Sequence, residues 1–199
     1  MRLKVCGMKY SDNIDEVSQL FPDYMGFIFW KKSTRFFDGV IPAIPNSIQK
    51  VGVFVDETLA EILATIKKYD LNIVQLHGRE DINFCNELKS NNVSIIKVFS
   101  MNDNFDFSKL APFENACDYF LFDTKGKLPG GNGTAFNWEI LKNYPSKKPL
   151  FLSGGIGIED VEKIKMLQLP IHAIDVNSKF ELEPGLKNRD LLKIFQNHI

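Results

Sequence analysis

The sequence predicts an α/β fold, an eightfold (β/α)8 or TIM barrel spanning residues 1–199 as a single domain. Eight strand-like apolar runs alternate with helical or loop connections along the 199 residues, and alternation of this kind means parallel strands joined by crossover helices. An open doubly wound sheet is the competing architecture. It usually has fewer strands and often opens with a Gly-x-Gly-x-x-Gly turn, whereas the first strand here ends in Cys6-Gly7-Met8-Lys9. About 200 residues is the lower end of the barrel's range.

The elements follow in order. Leu3 to Gly7 reads as the first strand, and Ser11 is placed to cap a helix through Ile14, Val17 and Leu20 that Pro22 and Asp23 close. Tyr24 to Trp30 is a continuously apolar second strand, as expected for one buried on both faces. Pro42 and Pro45 make any helix before the third strand, Val51 to Val55, short or irregular. Thr58 and Glu61 form a capping-box pattern ahead of a stripe of Leu59, Ile62, Leu63 and Ile66. Ile73 to Leu76 is the fourth strand, and Ile82 to Leu88 is a helix with Cys85 on its apolar face. Ile95 to Phe99 and Tyr119 to Asp123 are the fifth and sixth strands, with a short helix around Phe107 to Phe113 between them. A glycine-rich loop, Thr124 to Gly133, leads to helical Trp138, Ile140 and Leu141. Leu150 to Leu152 runs into Gly154-Gly155 and a helix from Ile158 to Leu167. Ala173 to Asn177 is the eighth strand. A loop from Ser178 to Lys187 then precedes a closing helix bearing Leu191, Leu192, Ile194 and Phe195.

Composition narrows the function classes. The net charge of −1 offers no basic field for nucleic acid or anionic membrane, and no apolar run approaches the roughly 18 residues of a membrane span. The amino terminus lacks the apolar core of a signal peptide. Three widely spaced cysteines, Cys6, Cys85 and Cys117, fit reduced thiols in the cytoplasm better than a disulfide frame or a zinc cluster. His77, His172 and His198 show no metal-ligand spacing.

In a barrel of this kind function sits at the C-terminal ends of the strands. Those positions are Cys6, Arg35, Asp56, His77, Ser100, Asp123, Gly154-Gly155 and Asn177-Ser178. Cys6 is either a small core residue or a cavity thiol that a nearby cation brings toward neutral titration as a base. Asp123 is either a turn carboxylate or a proton donor with a raised pKa. Arg35 is either a solvated loop charge or a fork for a substrate carboxylate. His77 is either a core group or a ligand contact, and Asp175, inside an apolar strand, is either a hydrogen-bond hub or a binder of hydroxyls. Glycine after a buried strand leaves backbone N–H groups for an anion. The glycines after strands six and seven, with Asn177-Ser178, lie where such barrels commonly bind phosphate.

Lys4-Val5-Cys6-Gly7-Met8, Gln75-Leu76-His77-Gly78, Phe122-Asp123, the run from Gly130 to Trp138, Leu152-Ser153-Gly154-Gly155-Ile156, and Asp175-Val176-Asn177-Ser178 with Glu181 and Pro184-Gly185 together resemble the phosphoribosylanthranilate isomerase family. The resemblance covers nearly the whole chain, in the family's order. It implies an eightfold barrel that converts N-(5-phosphoribosyl)anthranilate to 1-(2-carboxyphenylamino)-1-deoxyribulose 5-phosphate in tryptophan synthesis. It implies an Amadori rearrangement with no metal and no cofactor, a small phosphosugar–anthranilate substrate as partner, and a monomer or homodimer in the cytoplasm. By the same resemblance Asp123 is the general acid and Cys6 the general base. Arg35 holds the anthranilate carboxylate, His77 contacts substrate, and Asp175 contacts the sugar or orders the site. Gly131, Gly133, Gly154, Gly155, Asn177 and Ser178 line the phosphate pocket.

The sequence departs from the family pattern at Asn132, Asn137, Ser153, Lys179-Phe180 and Asn188, which puts loop detail and helix capping in question. Two rival readings remain. Another phosphosugar barrel enzyme is expected to need a lysine or a glutamate pair at strand ends, and none stands out. A non-catalytic phosphate-binding barrel is expected to bind product analogues without turnover. Phe36, Phe37 and Phe180 either cover an aromatic substrate or pack in the core.

Overall fold

In the computed structural model, which describes residues 1–124 and 137–199, eight parallel strands close on themselves in sequence order. They are β1 (Arg2–Cys6), β2 (Tyr24–Ile28), β3 (Gln49–Phe54), β4 (Ile73–Leu76), β5 (Ser94–Met101), β6 (Tyr119–Thr124), β7 (Leu150–Leu152) and β8 (Ile171–Val176). β8 returns to β1 in the register Lys4 to Asp175, which closes the barrel. All eight runs read from the sequence are strands, with ends shifted by a few residues.

Strand alternation divides the core in two. Inward residues Tyr24, Val51, Ile73, Ile96, Val98, Leu121, Phe151 and Ala173 fill the lower barrel. Outward residues such as Leu3, Val5, Met25, Phe27, Phe54, Val74, Leu76, Phe120, Phe122 and Ile174 pack beneath the connections. Burying both faces is what makes these strands near-continuous apolar runs.

Five α-helices are present among the described residues: α1 (Ser11–Ser18), α2 (Leu59–Tyr69), α3 (Ile82–Lys89), α4 (Val161–Met166) and α5 (Arg189–Gln196). None is long and apolar enough to cross a membrane. Thr58 caps α2 by accepting from Glu61 N at 3.3 Å. Ser11 does not cap α1: Tyr10 holds that position without a side-chain bond, and Ser11 is already helical. The connection from β2 to β3 carries no helix. Pro42 and Pro45 interrupt it, and Phe37 anchors it with its ring 5.0 Å from Phe27. Phe107–Phe113 and Trp138–Asn143 wind as 3₁₀ rather than α-helix, the first with Pro112 inside it. Two of the three asparagine departures act as caps: Asn137 accepts from Glu139 N at 3.1 Å and Asn188 from Leu191 N at 3.0 Å, while Asn132 lies outside the described residues.

Two expectations are corrected. The helix expected over Ile158 to Leu167 is split into a 3₁₀ turn, Ile158–Asp160, and the short α4. The loop expected from Ser178 to Lys187 contains a 3₁₀ turn, Ser178–Phe180, and an antiparallel pair, β9 (Glu181–Glu183) with β10 (Leu186–Lys187). Strands of two or three residues are too short to show an apolar period. Gly185, at φ 94°, makes the turn between them and passes so close to Lys9 that a β-carbon there would stand 2.7 Å from Lys9 Cβ.

Candidate active site

A cavity of about 270 Å³ opens at the C-terminal mouth of the barrel. Cys6, Arg35, His77, Asp123, Gly154, Gly155, Asp175, Asn177 and Ser178 all line it, so the structure brings these sequence-identified residues together. Gly131 and Gly133 lie outside the described residues. Asp56 and Ser100 stand apart from the cavity: Asp56 binds Arg79, Nη2 to Oδ2 at 3.0 Å, and Ser100 is exposed.

Cys6 ends β1 with its side chain inward, in register with Gly26 of β2. A β-carbon at residue 26 would lie 2.9 Å from the Cys6 sulfur, so glycine there is what gives the thiol its space. Burial pushes the thiol above its usual range; Asp175 adds to this, and Lys4 and Lys187 pull against it. A cation does stand beside the thiol as the sequence suggested, but burial outweighs it.

Asp123 reaches the mouth from β6 and is 4% exposed. Its Oδ1 accepts from Thr124 N at 2.8 Å, and its Oδ2 lies 3.4 Å from His77 Nε2 on β4's end. One carboxyl oxygen is therefore fixed by the backbone, while the other faces the imidazole.

Arg35 is already paired. Its Nε donates to Glu181 Oε1 at 2.8 Å and its Nη2 to Oε2 at 2.6 Å, a bidentate fork with a carboxylate from β9. That bond raises the guanidinium's pKa further. Glu181 Oε1 also accepts from Lys187 Nζ at 2.6 Å and Gly185 N at 3.0 Å. Lys187 Nζ in turn donates to Asn177 Oδ1 at 2.6 Å. Gly7, at φ 74°, lets this network pass: a β-carbon there would sit 2.7 Å from Arg35 Cδ and 2.8 Å from Asn177 Oδ1.

Asp175 both lines the cavity and pairs with a buried lysine. Its Oδ1 accepts from Lys4 Nζ at 2.9 Å, and both side chains are buried. Burial works against the Lys4 charge, but Asp175 and Cys6 beside it outweigh burial, so the ammonium is held protonated.

Gly154, Gly155, Asn177 and Ser178, expected at an anion site, all line the cavity, but the start of the following helical turn does not serve it. The amide just before the 3₁₀ turn, Gly157 N, donates to Asp160 Oδ2 at 2.9 Å, so that start is occupied by the chain's own carboxylate. The cavity is instead lined by the loop Ser153 to Ile156 and by Asn177 to Lys179. Gly154 and Gly155 have φ 98° and 63°, and a β-carbon on Gly154 would collide with Thr124 Oγ1. Phe37 and Phe180 do not reach the cavity; both are buried, Phe180 with its ring 4.9 Å from Phe195.

Sequence reading missed Lys4, Gln75, Glu181 and Lys187. Gln75 lines the cavity from β4 with a buried Oε1 that has no partner among the described residues. Period-two counting inward from Cys6 reaches Lys4, and counting back from His77 reaches Gln75, so that signal was available. Lysines do occur inside strands, Lys4 on β1 and Lys97 on β5, though neither is at the strand's end, where the rival reading needed one. Lys97 on β5 shares the outward parity of Ile95 and Phe99, and pairs with Glu80 at 2.8 Å away from the cavity.

A closed parallel barrel with an acid, a thiol and cationic groups gathered at its C-terminal mouth is the architecture of a (β/α)8-barrel enzyme. The family model for N-(5'phosphoribosyl)anthranilate (PRA) isomerase matches residues 3–198. An N-(5'-phosphoribosyl)anthranilate isomerase of Parabacteroides distasonis is 41% identical, the alignment covering 100% of this chain and 93% of the relative. The phosphoribosyl anthranilate isomerase structure from Thermus thermophilus superimposes with a TM-score of 0.88 at 25% identity, over 100% of this chain and 98% of that one. A phosphoribosyl anthranilate isomerase in complex with reduced 1-(o-carboxyphenylamino)-1-deoxyribulose 5-phosphate matches with a TM-score of 0.83 at 27% identity, over 100% and 97%. The chain belongs to the N-(5'-phosphoribosyl)anthranilate isomerase family, and its activity is that isomerisation in tryptophan biosynthesis.

Proposed function

We propose that the isomerisation runs by general acid–base catalysis between Asp123 and Cys6 across the barrel mouth. Asp123 gives a proton to the ribose ring oxygen. The anilino nitrogen lone pair forms C1′=N as the C1′–O4′ bond breaks, leaving a protonated Schiff base. The Cys6 thiolate then removes the C2′ proton, and that electron pair becomes the C1′=C2′ bond of an enolamine, which tautomerises to the ketone. The atoms balance within the substrate, and each proton step of this kind contributes about 10²–10⁴-fold.

Arg35 receives the anthranilate carboxylate, with His77 beside the acid. Ser153 to Ile156, Asn177 and Ser178 hold the phosphate, together with the loop that includes Gly131 and Gly133. Fixing both charged ends supplies orientation. A related isomerase solved in complex with reduced 1-(o-carboxyphenylamino)-1-deoxyribulose 5-phosphate, a compound with both a carboxylate and a phosphate, supports a ligand charged at both ends.

The observation that carries the reading is that one cavity holds both Cys6 and Asp123, each nearly buried, on strands from different parts of the barrel. Turnover is measured by loss of anthranilate-type fluorescence with freshly generated phosphoribosylanthranilate. Cys6→Ala and Asp123→Asn are each expected to lower kcat by about 10²–10⁴-fold with unchanged circular dichroism. Near wild-type turnover in either variant removes the assignment.

A further inference from the structure

Lys4, inward-facing just beneath the cavity, is a buried charge whose presence the acid–base scheme does not explain. A lysine with no exposed surface inside a barrel strand is costly unless it is paired and does something there. Its position follows from strand geometry. Lys4 and Cys6 are two residues apart on β1, so both point inward, with Lys4 one level deeper. The closing register sets Lys4 opposite Asp175 on β8, and the two meet at 2.9 Å.

We propose that Lys4 is a positioning residue for catalysis: its ammonium, fixed by Asp175 beneath the Cys6 sulfur, supplies the counter-charge that lets the buried thiol ionise and act as base. The proposal rests on Cys6 being the base.

The charges around Cys6 decide whether this works. Lys4 comes from β1 below the sulfur, Asp175 from β8, Lys187 from β10 and Arg35 from the loop after β2. Asp123 and His77, across the mouth, act on Asp175. Among the cations Lys4 bears most strongly on the thiol, its charge lying two residues away on the same face of β1. Burial alone would keep the sulfur protonated. Asp175 has a complementary part. It holds the ammonium in place and keeps it protonated, so that Lys4 serves as a fixed charge rather than competing for the proton. During turnover the C2′–H bond breaks, the S–H bond forms, and the Lys4 proton stays on nitrogen throughout.

The test is the pH dependence of Cys6 alkylation by iodoacetamide. It is read by peptide mass spectrometry so that Cys85 and Cys117 are counted separately. Wild type, Lys4→Met and Lys4→Arg are compared, with kcat and KM for each. Lys4→Met is expected to raise the thiol pKa by about one unit, which lowers the alkylation rate at pH 8 about tenfold. It is expected to lower kcat by a similar factor with KM little changed, and Lys4→Arg restores most of both. A Lys4→Met alkylation profile that superimposes on wild type overturns the proposal, as does an Arg variant no better than Met. Should Lys4→Met fail to fold because Asp175 is left unpaired, Lys4→Met/Asp175→Asn removes both charges. Its profile must still move to higher pH, and an unmoved profile overturns the proposal equally. Cys6→Ala is assayed alongside. If it retains turnover, the base assignment falls whatever the alkylation shows. If it is dead and the Lys4 profiles do not move, only the role of Lys4 falls.

Discussion

Arg35 reaches the cavity with two of its nitrogens already bound to Glu181, while Nη1 takes no part in that pair. A fork held this way is oriented before substrate arrives, which lowers the ordering cost of binding. Arg35→Ala should therefore weaken binding more than chemistry. Glu181 would not be stranded, since Lys187 Nζ and Gly185 N still donate to it at 2.6 and 3.0 Å, so the site should keep its shape. A charge-assisted hydrogen bond contributes about 1.5–3 kcal/mol, which corresponds to KM rising about 10–100-fold with kcat changed much less. Steady-state kinetics checks this, and an unchanged KM would end the carboxylate-binding role. Residues at the mouth were legible because strand ends can be counted: Cys6, His77, Asp123 and Asp175 all face one cavity. Partners were not legible. Which carboxylate meets Arg35, and which meets Lys4, depends on a hairpin and a closing register that no local pattern encodes.

Elements longer than about four residues announced themselves, because a strand buried on both faces must be apolar throughout and a helix over a barrel needs a stripe. The β9–β10 hairpin and the Ser178–Phe180 turn did not, since two or three residues carry no period. The three-residue β7 was legible only because its apolar run ends in a glycine pair, and the segments at Phe107–Phe113 and Trp138–Asn143 were legible as helix but not as 3₁₀. Capping sits between these cases. Asn188 accepts from Leu191 N at 3.0 Å and starts α5. That helix lays Leu192 and Phe195 into the core, and Phe195 meets Phe180. Asn188→Ala is expected to cost about 1 kcal/mol, the usual loss for a side-chain cap, and Asn188→Asp close to nothing. Urea midpoints with unchanged slope provide the measurement. An alanine variant as stable as wild type would mean that packing alone fixes the start of α5.

At the scale of the whole molecule, Lys187 ties chain ends together. Its backbone is held by Asn13 of α1, with N to Oδ1 at 2.7 Å and Asn13 Nδ2 to its carbonyl at 2.9 Å. Its ammonium joins Glu181 and Asn177. Burial pushes its pKa down from 10.5 to about 8, with Glu181 opposing the change. Because the folded value is the lower one, the folded protein releases this proton first. Between about pH 8 and 10.5 the unfolded chain binds more protons at this site, so the Lys187 contribution to stability rises with pH across that window. Below about pH 8 both states carry the charge, and the cost of burying it is constant. Tyr24, Tyr144 and the buried thiols also titrate at alkaline pH, so wild type alone would not isolate the effect. The difference in unfolding free energy between wild type and Lys187→Met cancels the tyrosines and Cys117, and Cys6, on which Lys187 acts, is replaced by alanine in both proteins. Measured by urea at pH 7, 8.5 and 10, that difference should shift in favour of the protein with Lys187 as pH rises. A flat difference would show that Lys187 keeps its ordinary affinity for the proton, and that Glu181 fully offsets its burial.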